Sequence, residues 1–121
     1  MQCVYKICDR ALWDEACAAG EFTGAGIDLA DGYIHFSTAG QVAETAFLHF
    51  NGISGLVLVA VPEEAVALTW EKSRDGSLFP HLYGTLPVEA VAWVEDLELG
   101  EDGLHRFPKV IPAFVPPPSS A

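Results

Sequence analysis

Positive charge is scarce in this sequence. Its 121 residues include 6 Lys plus Arg against 17 Asp plus Glu, a formal net charge of −11. A surface of that sign repels phosphate backbones, which excludes a long nucleic-acid partner held by bulk charge. Anionic membrane surfaces are disfavoured for the same reason. No apolar run reaches the roughly 18 residues that a spanning helix needs, so no membrane segment is predicted. The N-terminus shows no basic region followed by an apolar one, so no secretory signal is visible. Cysteine is sparse: Cys3, Cys8 and Cys17 only. Their spacing fits no common zinc pattern. An odd count without a signal points to a reducing cytoplasmic setting, with free thiols in or near the core. Familiar signatures are missing too: no G-x-G-x-x-G, no Walker lysine motif and no G-x-S-x-G elbow. A cysteine nucleophile is poorly supported, since each thiol lies in an apolar setting.

Half of the residues are apolar and 19% are charged, which excludes a wholly disordered chain. The length suits one domain with one core. Residues 3–8 alternate as a strand, with Val4, Lys6 and Cys8 on one side. Asp9 is a predicted helix N-cap. Leu12, Ala16 and Ala19 form the apolar stripe, Trp13 and Cys17 widen it, and Gly20 ends the helix. Residues 24–32 read as a loop and turn. Residues 33–37 read as a strand with two unlike faces: Ile34 and Phe36 on one, Tyr33, His35 and Ser37 on the other. Thr38-x-x-Gln41 has the form of a capping box, and Val42, Ala46 and Phe50 repeat at helical spacing after it. The unbroken run at residues 56–61 suits a buried central strand. A short strand is predicted at 68–71 and another strand at 88–97. These elements imply an α+β fold with two main helices and a curved or split, mostly antiparallel sheet. Residues 1–99 form the predicted domain, and residues 100–121 a proline-rich extension.

Three clusters carry chemistry. His35 lies on the polar face of its strand, just before a helix N-terminus that can hold an anion with Ser37 and Thr38. Its imidazole can bond a ribose hydroxyl or a carbonyl, or simply satisfy a neighbouring backbone group. In Trp70-Glu71-Lys72-Ser73-Arg74, Glu71 suits a general base or a ribose ligand. Arg74 offers a planar fork for carboxylate or phosphate. The alternative is a surface ion pair between them. In Phe79-Pro80-His81-Leu82-Tyr83-Gly84, His81 sits on a stiff segment, and Phe79 and Tyr83 can stack on a planar ring. A metal held by His35, His81 and Glu71 or Asp31 lacks the close ligand spacing of such sites, so no metal is assigned.

Together, Asp31-Gly32-Tyr33-Ile34-His35-Phe36-Ser37-Thr38 with Gln41, Leu68-x-Trp70-Glu71-x-Ser73-Arg74, and Phe79-Pro80-His81-Leu82-Tyr83-Gly84-x-Leu86-Pro87 resemble a known family. It is the small bacterial domain-of-unknown-function family numbered 952, matched from about Val4 to Leu97. That family in turn resembles the ADP-ribosyltransferase superfamily, which cradles NAD between two small sheets. The resemblance implies that His35 takes the early-strand position. The late glutamate of that superfamily has no clear equivalent: Glu71 lies mid-chain, and Glu89 and Glu95 sit in no diagnostic motif.

Three readings follow. The first is an enzyme, or a lapsed one, that handles NAD or an ADP-ribose-like nucleotide, with His35, Glu71 and His81 catalytic. Ser37, Thr38, Arg74 and Tyr83 would bind the ligand, and NAD would be substrate rather than resident cofactor. The second is a noncatalytic module for a small anion. The third is a structural domain whose histidines are satisfied by Asp28, Asp31 and Glu71. The first reading predicts that His35, Ser37, Glu71, Arg74, His81 and Tyr83 line one cleft.

Overall fold

In a computed structural model, which describes residues 2–73 and 76–117, the apolar run near residue 58 becomes the central strand. The elements are β1 (Cys3–Asp9), α1 (Arg10–Ala19), β2 (Glu21–Phe22), α2 (Ile27–Asp31), β3 (Ile34–His35), β4 (Ser37–Thr38), α3 (Ala39–His49), β5 (Leu56–Pro62), β6 (Leu68–Lys72), β7 (Leu78–Leu82), β8 (Leu86–Pro87) and β9 (Trp93–Leu97). The order β4-β1-β5-β9 makes the main sheet; β2-β8 and β3-β7-β6 make two smaller ones. Every strand pair is antiparallel. The fold is therefore α+β with a split antiparallel sheet, and it has three helices among the described residues rather than two.

β5 explains the layering. Val57, Val59 and Val61 point to one core, with Trp13, Phe22, Ile34 and Phe36. Leu56, Leu58 and Ala60 point to a second core, with Val42 and Ala46 of α3. A strand buried on both faces needs no polar alternation. Each fully buried valine or leucine adds about 1.5–3 kcal/mol. Ile111, in the proline-rich extension, packs into the second core, and Phe114 meets Phe47 of α3 at 5.4 Å between ring centroids.

Several expectations change. Asp9 stands at the N-cap of α1, but its side chain makes no capping bond. Only Trp13 and Ala16 of α1 are buried; Cys17 and Ala19 are exposed, because α1 touches the sheet along a narrow stripe. The region 24–32 is not all loop: residues 27–31 form α2, which ends at Gly32 in the left-handed region (φ 84°). The strand expected at 33–37 is broken at Phe36, whose N–H donates to the Pro80 carbonyl. β3 joins the small sheet and β4 the main one, so this segment links two sheets. The strand expected at 88–97 begins only at Trp93, after a single 3₁₀ turn at Val88–Ala90. The segment at residues 78–82 is a full strand, β7.

Candidate functional site

The cleft exists because the partners of β1 differ in length. β5 pairs with all seven residues of β1, whereas β4 pairs only with Val4 and Tyr5. The edge of β1 beyond Tyr5 is left uncovered by β4. A cavity of about 380 Å³ lies there, lined by Lys6, His35, Ser37, Thr45, His49, Ser73 and His81 among others. Ile7, Ile27, Phe36, Phe50 and Phe79 supply its apolar wall. This mixture of an apolar lining and a few convergent polar groups suits a small-molecule site.

One wall is sealed. Lys6 shares the core-facing row of Val4 and Cys8, yet it is a lysine and 93% buried by its 7% exposure. The carboxylate of Asp28, on α2, meets its ammonium at 2.7 Å and 2.9 Å. The same carboxylate accepts the Ala25 N–H and the His35 N–H, each at 3.0 Å. His35 Nδ1 lies 2.6 Å from Asp28 Oδ1, and Nε2 lies 3.0 Å from Asp31 Oδ2. Burial alone would push the Asp28 carboxyl upward. The Lys6 charge and the bonds from Lys6, Ala25 and His35 outweigh it and hold the carboxyl below its usual range.

The adjoining wall is open. β3 and β7 place His35 directly opposite His81, with ring centroids 5.3 Å apart and edge-on. His81 Nδ1 lies 2.8 Å from Glu71 Oε1, and the Tyr83 hydroxyl donates to the same oxygen at 2.7 Å. The Tyr83 and His81 bonds hold the Glu71 carboxyl below its usual range. In return the Tyr83 phenol is pushed up to about 12, first because its proton is bonded to Glu71. Tyr33 stacks on His81 at 4.2 Å and lies 4.5 Å from His35. Burial first, then Asp31 and Glu71, raise the Tyr33 phenol.

Of the residues singled out in the sequence, His35, Ser37 and His81 line the cavity. Glu71 and Tyr83 do not line it; they stand behind His81 and fix its ring. Thr38 does not line it either. It completes the capping box of α3, with its N–H donating to Gln41 Oε1 at 3.0 Å, and borders a separate depression beside Trp70 and Trp93. Arg74 lies outside the described residues. Ser37 Oγ lies 3.0 Å from Thr45 Oγ1. The Thr45 hydroxyl donates to the Gln41 carbonyl, so Ser37 is the donor between them. Glu89 sits in the 3₁₀ turn before β9, and Glu95 on β9, neither of them in the cavity lining.

One participant was missed: Lys6, which carried a visible signal, a cation interrupting an apolar row. Asp28 was named among the carboxylates that could satisfy the histidines, and it does meet His35, as Asp31 does, while Glu71 meets His81. Among the described residues, no group of three or more His, Cys, Asp and Glu side chains is placed to hold a metal ion. In this cluster the carboxylates of Asp28, Asp31 and Glu71 outnumber the one ammonium of Lys6.

A family model described as "Protein of unknown function (DUF952)" matches residues 7–94, and the chain belongs to that family. The fold is similar to the crystal structure of protein CC0527 from Caulobacter crescentus. The two are 48% identical, with a TM-score of 0.83 over 86% of this chain and 93% of that one. The solution structure of CC0527 is likewise similar, with a TM-score of 0.76 over 86% and 91% at the same identity. Among curated proteins, none matches.

Proposed function

We propose that this family member binds the ribosyl end of an NAD-type or ADP-ribose-like nucleotide in the cleft and acts at its glycosidic bond. The reading rests on one observation above all. Two histidines sit side by side in the cavity lining, each backed by a carboxylate. Cleaving a nicotinamide glycosidic bond develops positive charge on the ribosyl carbon, and fixed negative charge nearby stabilises that state. The carboxylates of the cluster suit a ligand that turns a developing cationic ribosyl carbon toward them and keeps its phosphates elsewhere. The cavity volume is within the range of small-molecule sites and suits part of a dinucleotide better than the whole. The resemblance to the ADP-ribosyltransferase superfamily points the same way.

Calorimetric titration with NAD and with ADP-ribose tests this, with His81→Ala and Arg74→Ala as controls. Saturable heat that Arg74→Ala weakens and His81→Ala largely keeps is the expected result. Absence of heat with both ligands sinks the nucleotide reading and favours a module for a different small molecule.

A further inference from the structure

We infer that His81 is the proton acceptor of the cleft, taking the proton of a hydroxyl-bearing acceptor as that hydroxyl attacks the ribosyl carbon. This rests on the nucleotide reading above and adds the acceptor class, water or an alcohol.

The assignment comes from the bonding of each ring nitrogen. Glu71 is a carboxylate with a lowered pKa, so it can only accept, and the proton between it and His81 belongs to Nδ1. That leaves Nε2 with the lone pair. Among the described residues, Nε2 has no hydrogen-bond partner. The ring is only 3% exposed. Yet no described side-chain nitrogen or oxygen is both sealed from the surface and unpartnered. Nε2 therefore has an opening, and the opening available to this ring is the cavity it lines.

The other basic groups around the cavity are engaged or at its rim. Both ring nitrogens of His35 are bonded, to Asp28 and to Asp31. Lys6 is tied as an ammonium to buried Asp28. The Tyr83 phenol holds its proton more tightly than usual. His49 sits exposed in the last turn of α3. His35 is thus a positioning group. Its contacts with Asp28 and Asp31 fix its ring edge-on against His81, 5.3 Å away between centroids, so that the two rings form adjoining parts of the cavity lining.

The step balances. The acceptor oxygen bonds to the ribosyl carbon. The bond from that carbon to the nicotinamide nitrogen breaks, and its electron pair leaves with neutral nicotinamide. The acceptor proton passes to His81 Nε2, and the Glu71 carboxylate holds the resulting imidazolium.

Ring-nitrogen NMR of the full ¹⁵N-labelled chain tests the proton arrangement. It is recorded about two pH units above the ordinary histidine pKa of about 6.5. The expected spectrum has His81 protonated on Nδ1 and bare on Nε2. Glu71→Ala should shift it toward the Nε2–H form, leaving His35 unchanged. A wild-type His81 that carries its proton on Nε2 overturns the inference even if NAD binds. In the second arm, nicotinamide release from NAD should fall by about 10²–10⁴-fold in His81→Ala. NAD affinity should change little, and added imidazole should restore part of the rate. Loss of rate without rescue in a folded variant counts against the role. An Nδ1–H His81 in a chain that does not respond to NAD overturns the nucleotide reading, and the ribosyl step with it.

Discussion

The two walls of the cleft solve the same problem in opposite ways. Each fixes a histidine with a carboxylate. On the Lys6–Asp28–His35 side the carboxylate is 2% exposed, and every bond it makes is internal. On the Glu71–His81–Tyr83 side the carboxylate side chain is 39% exposed and shares a tyrosine that is itself in solvent. A buried charge must be fully paired, because water is not there to replace a lost partner. An exposed one can lose a partner at little cost. The sealed wall therefore carries fold stability along with the site. The open wall is free to hold a ring nitrogen ready for a ligand.

Substitutions should break this contrast in order of burial. The largest effect is expected for Asp28→Ala, which leaves Lys6 charged and unpaired in the core. Breaking a buried pair in this way costs about 3–5 kcal/mol, read as a lowered denaturant midpoint. The double change Lys6→Met with Asp28→Leu should recover part of that loss, since it removes both charges. A double variant no more stable than Asp28→Ala would show that the backbone bonds to Asp28, not the ion pair, carry the stability.

Acid titration sharpens the same point. The Asp28 pKa is lowered in the fold, so the unfolded chain binds more protons across the window between the folded and unfolded values. The Asp28 contribution is complete above the ordinary value of about 3.9 and is lost as pH falls through the folded one. Its slope can reach about 1.4 kcal/mol per pH unit. Denaturation followed at descending pH should lose this component of the slope in the Lys6→Met, Asp28→Leu variant.

Smaller effects belong to the open wall. Glu71→Ala should barely move the melting midpoint. It should let the Tyr83 phenol fall from about 12 toward its ordinary value, as followed by ultraviolet absorbance. A Tyr83 midpoint that stays high in this variant would show that Glu71 is not its acceptor in solution. The thiols offer a last and smallest test of sealed against open. Cys8 is buried, and burial above all pushes its pKa to about 11. Cys17 is exposed. Mild alkylation should therefore label Cys17 first, with Cys8 reacting only on unfolding.

Much of this architecture was legible in local pattern. The continuous apolar run marked β5. The Thr38-x-x-Gln41 box and the Val42 to Ala46 spacing marked α3. The alternation over residues 34–37 placed Ile34 in the core and His35 and Ser37 at the cleft, but not Phe36, which also lines the cleft because the strand breaks there. The two-residue strands were not legible, because two residues carry no period, and they are strands only through the partners they meet. For the same reason Cys17 and Ala19 looked like core: a stripe shows which side of a helix is apolar, not how much of it the sheet covers.

The sequence by itself determined the long elements β1, α1, α3 and β5, their apolar sides and the two histidines of the site. Periodicity and capping act between residues a few positions apart, and those distances are written in the chain. Tertiary structure alone decided which carboxylate serves which imidazole. Lys6 on β1 finds Asp28 on α2 across 22 positions, and His81 finds Glu71 across 10 through the pairing of β6 with β7, neither of which a local pattern specifies. The proton arrangement of the site depends on those pairings, so it arises only when β3, β6 and β7 close into one sheet.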